Sequence, residues 1–237
     1  MTMGRGRSHL RFDAHTVTKK VVNAWEPLFM RRFPEVFVEV KDIKHHEFTM
    51  VRLNEPDYLE PRALLEASSS LKTLWNTPWR GSDKDWREKL RAHLKNLRII
   101  TDAEVDALIS QLRDVEKPCW IHGDPTLANL LQSSNGYHWI DPLLREYIPG
   151  DPHVDLGKMY QSCLGYEQVL LNKPSAVGTL SRDPELLDDI AELYSLDRDL
   201  GLAWCAVHYL RLMPYQEEKD KTIFHTILRA LLTRIHR

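Results

Sequence analysis

One stretch of the sequence limits the possible folds more than any other: two short apolar runs separated by a turn, each with a polar residue at its outer end. Leu130-Leu131 and Trp139-Ile140 flank the segment Ser133-Ser-Asn-Gly136. Apolar runs on either side of Asn-Gly are typical of a β-hairpin with Asn-Gly at its tip. Asn129 comes directly before the first run and Asp141 directly after the second. Because the strands of a hairpin are antiparallel, the pattern predicts that these two side chains lie close together.

A third polar side chain belongs to the same region. Asp124 lies on the loop before the hairpin, five residues ahead of Asn129. Two carboxylates and an amide that converge in a loop provide oxygen ligands for a hard divalent cation, with one carboxylate left to act as a base. The alternative interpretation is that all three side chains serve in Asx turns and caps. His122 is expected to brace this loop through hydrogen bonds.

Here the sequence resembles a known family. His122-x-Asp124-x-x-x-x-Asn129, followed by Ile140-Asp141, resembles the catalytic loop and metal-binding aspartate of protein-kinase-like phosphotransferases. The His-Gly-Asp form is most similar to the aminoglycoside and choline phosphotransferase branch. The Asp-Pro after Ile140 and the later Asp-Leu-x-Lys-x-Tyr run are similar to small members found among polysaccharide-biosynthesis proteins. The later run around Asp155 is similar to the segment of that branch in which an aspartate braces the catalytic loop. The resemblance in sequence covers residues 120–160.

The resemblance implies both a fold and an activity. The fold would be α+β and two-lobed, kinase-like, with an abbreviated β-rich N-terminal lobe and a helical C-terminal lobe. The activity would be ATP-dependent transfer of a γ-phosphoryl group to a hydroxyl of a small molecule, with ATP and Mg²⁺ as cofactors. In this family pattern Asp124 is the catalytic base, His122 belongs to the catalytic loop, and Asn129 and Asp141 hold the metal.

Hydrophobic periodicity agrees with two lobes of different structure. Residues 1–54 are predicted to form the small nucleotide-binding lobe, residues 55–61, with two prolines, a hinge, and residues 62–237 the helical catalytic and acceptor-binding lobe. The predicted strands are 10–22, 36–40 and 48–53. The predicted helices are 62–74, 85–97, one opened by the capping box Thr101-x-x-Glu104, 152–164, 184–195, 200–213 and 221–236.

The small lobe should supply a lysine for the nucleotide phosphates, paired with a glutamate on a helix. Lys19 is the best candidate, because it shares a strand face with Val17 while Lys20 points away. Glu26 on the following helix is its expected partner. A full glycine-rich loop is absent from the sequence, and Gly4-Arg-Gly6 lies at its very start. Either Arg5, Arg7 or Ser8 would replace the amides of such a loop, or ATP would bind weakly.

That departure leaves alternatives to a small-molecule kinase: a nucleotide-binding pseudokinase, a regulatory module, or a kinase acting on a macromolecule. A formal net charge of −2 and a pI near 6.6 make nucleic acid an unattractive partner. Three widely spaced cysteines predict buried thiols in a reducing compartment, and the sequence shows neither a secretory signal nor a membrane-length apolar run. A cytoplasmic protein is therefore expected.

Overall fold

The computed structural model describes residues 10–21, 25–44, 46–53, 61–79, 84–143, 148–166 and 185–235. Gly4, Arg5, Gly6, Arg7 and Ser8 lie outside these ranges, as do residues 55–60 of the expected hinge. Pro61, assigned to that hinge from the sequence, is instead the first residue of a helix.

The N-terminal part is a four-stranded antiparallel sheet with the strand order β1-β2-β4-β3. The strands are β1 (Leu10–Phe12), β2 (Thr16–Lys20), β3 (Val40–Lys44) and β4 (Glu47–Val51). In β2 the side chains alternate as expected: Val17 and Lys19 are buried, whereas Lys20 is exposed. Helix α1 (Trp25–Arg32) follows β2 and buries Phe29 and Met30.

The strand predicted at 36–40 is wrong in position, since the sheet strand begins at Val40. Val36, Phe37 and Val38 are buried, but they pair with a distant segment. The backbone N–H of Val38 donates to the carbonyl of Trp139 at 3.2 Å, and the N–H of Trp139 donates to the carbonyl of Val36 at 2.9 Å. These hydrogen bonds attach the N-terminal part directly to the hairpin that carries Asp141.

The predicted hairpin is confirmed, with β5 (Leu130–Ser133) paired to β6 (Gly136–Trp139). Its tip differs from the expectation. Ser133 pairs with Gly136, so the two turn residues are Ser134 and Asn135 rather than Asn-Gly. The hydroxyl of Ser133 accepts the N–H of Asn135 at 3.0 Å, and Gly136, at φ 120°, provides the conformation that the closing pair requires.

Helices form the rest of the described chain. They are α2 (Pro61–Trp75), α3 (Trp86–Leu97), α4 (Asp102–Gln111), α5 (Pro152–Cys163), α6 (Glu185–Leu193), α7 (Arg198–Leu212) and α8 (Glu218–Ile235). The capping box of Thr101 and Glu104 at the start of α4 is confirmed. The predicted mixed fold, a small antiparallel sheet followed by a helical C-terminal part, is therefore confirmed.

Helix α5 is the helix that matters for the site, and it packs tightly against α7. A Cβ at Gly157 would lie 2.6 Å from the Cβ of Trp204, so only glycine permits this approach of the two backbones. Nine of the twelve residues of α5 are buried. Because burial on this scale restricts movement, α5 is a rigid support for any loop bonded to it.

Cys119, Cys163 and Cys205 are free and buried, as predicted. Among the described residues, no helix is both long and apolar enough to cross a membrane.

Candidate active site

Asp155, in the first turn of α5, connects that helix to the loop of the His-Gly-Asp motif. Its buried carboxylate accepts the backbone N–H of His122 at 2.9 Å, the N–H of Gly123 at 2.7 Å, and the indole N–H of Trp75 at 2.9 Å. Burial raises the pKa of Asp155 to about 6, although these three donors favour the charged form. The carboxylate therefore fixes the position of the loop backbone, which is the bracing arrangement expected for this residue.

Asp155→Ala is expected to lower the free energy of unfolding by about 2 kcal/mol or more, because it leaves buried N–H donors without an acceptor. Asp106→Ala is the matched control: Asp106 is half-exposed and binds Lys95 and Arg91 on the surface. Its loss should cost about 1 kcal/mol at most. Urea unfolding of the two variants measures both values, and equal losses would contradict the bracing role.

His122 is enclosed by the loop that it helps to form. Its Nδ1 accepts the N–H of Asp124 at 3.2 Å, and its ring packs against Phe37 and Trp139 with centroid distances of 5.5 and 5.6 Å. Burial lowers the pKa of His122 to about 4, so the ring is neutral at pH 7. These contacts hold the loop around Asp124.

The turn at Gly123 has no room for a side chain. Gly123 has φ 80°, and a Cβ there would lie 1.8 Å from the carbonyl oxygen of Leu143. The same contact region includes a hydrogen bond from the N–H of Leu143 to the carbonyl of His122 at 2.7 Å. The loop before Asp124 and the segment after Asp141 are therefore packed directly on each other.

Asp124 and Asn129 form one hydrogen-bonded unit. The Nδ2 of Asn129 donates to the backbone carbonyl of Asp124 at 2.8 Å and to its Oδ2 at 3.2 Å. Because both bonds use the amide nitrogen, the amide oxygen of Asn129 faces the other way. The N–H of Ile140 donates to the carbonyl of Asn129 at 3.0 Å, which brings Asp141 next to this unit.

Asp141 carries a 43% exposed side chain and has φ 56°, a left-handed conformation that aspartate tolerates. Its Oδ1 lies 2.9 Å from the Nζ of Lys19, which also lies 2.7 Å from Oε1 of Glu26. One buried lysine, 8% exposed, thus joins β2, α1 and the end of β6.

The pKa values of the lysine and its buried partner reflect this pairing. Burial acts to lower the pKa of Lys19, but the charges of Asp141 and Glu26 outweigh it and raise the pKa. Burial raises the pKa of Glu26 despite the opposing effect of Lys19. Lys19 is therefore a permanent cation at neutral pH, available for an anionic ligand.

The sequence reasoning missed Lys158. Its Nζ lies 2.9 Å from Oδ1 of Asp124, and both side chains are nearly buried, with 13% and 14% exposed. Its spacing from Asp155 in the sequence could have indicated a position near the loop. Lys158 follows Asp155 by three residues, so both lie on the helix face that contacts the loop.

Among the described residues, no group of three or more His, Cys, Asp and Glu side chains could hold a metal ion by itself. The oxygens that the site does offer are the amide oxygen of Asn129 and the carboxylate of Asp141. This set fits Mg²⁺, which is commonly held by one or two carboxylates together with substrate phosphates and water.

No protein-family model and no curated protein sequence matches the chain. Solved structures do resemble it. A choline/ethanolamine kinase family protein from Mesorhizobium loti aligns with a TM-score of 0.58 at 14% identity, covering 94% of this chain and 84% of that one. A glucosamine kinase aligns with a TM-score of 0.57 at 14% identity, covering 95% and 77%. The APH(2″)-IIa complex with streptomycin and ATP aligns with a TM-score of 0.51 at 13% identity, covering 95% and 91%.

At these identities the likeness establishes the fold. The chain has the protein-kinase-like fold found in small-molecule kinases, over nearly its whole length. This agrees with the resemblance that the His-Gly-Asp motif carried.

Proposed function

We propose that this chain is a Mg²⁺-dependent phosphotransferase that moves the γ-phosphoryl group of ATP to a hydroxyl of a small molecule. One observation carries the proposal: Lys19 and Asp141, 122 positions apart, meet at 2.9 Å in an ion pair that also includes Glu26. In kinase-like sites a phosphate-binding lysine, its glutamate partner and a metal-binding aspartate must all be in place around the same phosphates. Lys19, Glu26 and Asp141 meet in that combination here.

Lys19 would bind the α- and β-phosphates. An ammonium group has three N–H donors, and the structure uses two of them, on Glu26 and Asp141. The third remains for a phosphate oxygen. Val17, on the same face of β2, would pack against the adenine.

Asn129 and Asp141 would hold Mg²⁺ through the amide oxygen and the carboxylate. The metal, when bound, neutralises the negative charge on the phosphates. The carboxylate of Asp141 would then bind both Lys19 and the metal.

Asp124 would accept and orient the proton of the acceptor hydroxyl. The hydroxyl oxygen forms a bond to the γ-phosphorus while the bond from that phosphorus to the bridging oxygen breaks, and ADP leaves with that electron pair. Positioning accounts for most of the rate enhancement in this kind of reaction. The unit of Asp124 and Asn129, held by Asp155, supplies it.

The roles of the two lobes and the cellular compartment are part of the same proposal. The N-terminal lobe of residues 1–54 would bind nucleotide, and residues 62–237 would supply the catalytic loop and the acceptor pocket. Buried free thiols support work in the cytoplasm, where ATP is present and thiols stay reduced.

Lys19→Met is expected to raise the Kd for ATP by about tenfold or more, because a hydrogen bond to a charged group contributes about 1.5–3 kcal/mol. Lys20→Met is the matched control on the same strand, and since Lys20 is exposed it should change the Kd by less than about threefold. Calorimetric titration with ATP and Mg²⁺ measures both.

Equal, small effects of the two substitutions would contradict the phosphate-binding role of Lys19. Nucleotide binding without any phosphoryl transfer from the wild-type chain would favour the pseudokinase alternative. Thermal unfolding of each variant verifies that the fold is intact.

A further inference from the structure

A second lysine lies in the candidate site, on α5, and it contacts Asp124 rather than Asp141. The Nζ of Lys158 contacts Oδ1 of Asp124 at 2.9 Å and also donates to Oε1 of Gln161 at 3.0 Å. Its ammonium group lies 5.9 Å from the ring centroid of Tyr166. Gln161 in α5 and Tyr166 just beyond it thus flank the ammonium group, and Asp124 contacts it from the loop.

This ion pair is costly to bury. Both side chains are nearly excluded from water, and replacing a buried ion pair with apolar residues is often neutral or stabilising. Fold stability alone therefore gives little reason for a lysine at this position. A need to hold the carboxylate of Asp124 in one orientation gives a direct reason for the lysine.

The carboxylate of Asp124 is fixed from both ends. Lys158 binds Oδ1, and Asn129 donates to Oδ2. A carboxylate has about four lone-pair sites, so these two bonds leave room for the proton of an acceptor hydroxyl. With both oxygens bonded, rotation about the terminal torsion of the side chain is restricted.

Helix α5 makes this arrangement rigid. Asp155 and Lys158 lie one turn apart on the same face of the helix, one bonded to the loop backbone and the other to the Asp124 side chain. The helix itself is buried against α7. Helix α5 therefore holds both the loop backbone before Asp124 and the carboxylate of Asp124.

We propose that Lys158 is a positioning residue for phosphotransfer, whose ammonium holds the carboxylate of Asp124 in the orientation that receives the acceptor hydroxyl. The proposal rests on the function proposed above. It assigns to Lys158 a role exerted through Asp124, distinct from nucleotide binding by Lys19.

The test compares Lys158→Met with Lys158→Arg, using Mg²⁺-ATP and ethanolamine, choline, glucosamine or water as acceptor probes. Lys158→Met should lower kcat by about 10- to 100-fold, because small misplacements of reacting groups carry losses of that order. The KM for ATP should change by less than about threefold. Lys158→Arg keeps the charge and should recover about tenfold of the loss.

Lys95→Met is the control. Lys95 makes a similar contact, 2.8 Å from Asp106, but on the surface of α3, and its loss should leave kcat unchanged. Thermal unfolding should show all three variants folded.

A double variant separates positioning from other roles. If Lys158 acts through Asp124, adding Lys158→Met to Asp124→Asn should slow the residual reaction by less than about threefold. The same fold-loss in both backgrounds, or wild-type kcat in Lys158→Met, would overturn the proposal. A wild-type chain without any phosphoryl transfer would instead overturn the proposed function, and this inference with it.

Discussion

Asp124→Asn is expected to lower kcat for phosphotransfer by about 10²–10⁴, the usual cost of losing a general base. An amide has nearly the same shape as the carboxylate but does not take up the hydroxyl proton. The hydrogen bonds of Lys19 go to Glu26 and Asp141 rather than to Asp124, so the Kd for ATP should change little. Steady-state kinetics and calorimetric titration on the same preparation give both values.

Asp106→Asn is the control for this substitution. Asp106 also forms a close ion pair with a lysine, but on the half-exposed surface of α4, and its neutralisation should leave kcat within about twofold. Wild-type turnover in Asp124→Asn would show that another group receives the proton.

Asp141→Asn is expected to lower kcat/KM for Mg²⁺-ATP by about 100-fold or more. Loss of a residue that only supports a metal ligand typically costs 10- to 100-fold, so loss of the anionic ligand itself should cost at least the upper value. Asparagine tolerates the positive φ of this position, so the backbone is preserved. Titrations with ATP in Mg²⁺ and in EDTA should differ for the wild-type chain and converge for the variant.

Asp42→Asn provides the comparison, because it removes the same charge from an exposed side chain of β3 that pairs with Lys44. It should keep the full dependence on Mg²⁺. A dependence on Mg²⁺ that survives in Asp141→Asn would contradict the metal role assigned to this carboxylate.

Much of the geometry follows from local rules that the sequence displays. The apolar pairs around the turn specify the hairpin, and the hairpin alone places Asn129 beside Asp141. Strand alternation separates Lys19 from Lys20, because successive side chains point to opposite faces. The capping box at Thr101 marks the start of α4 by backbone hydrogen bonding.

The rest depends on contacts between distant segments. Residues 36–38 form a continuous apolar run like that of a buried strand, but Val36 and Val38 bond to the backbone of Trp139 rather than to the four-stranded sheet. No local pattern specifies that choice. The pairing of Lys158 with Asp124 likewise depends on the packing of α5 against the loop. The helix period predicts the face of α5 on which Lys158 lies, but it does not predict which residue Lys158 contacts.

The fate of the γ-phosphoryl group tests the central claim most directly. The wild-type chain is incubated with Mg²⁺-ATP and a panel of sugars, amino sugars and amino alcohols, and phosphorus NMR records the products, with Asp124→Asn measured in parallel. The account predicts a new phosphate-ester signal that grows in step with ADP and requires the wild-type Asp124. ATP that binds but stays intact with every acceptor, or that is consumed equally by the Asp124→Asn variant, would contradict it.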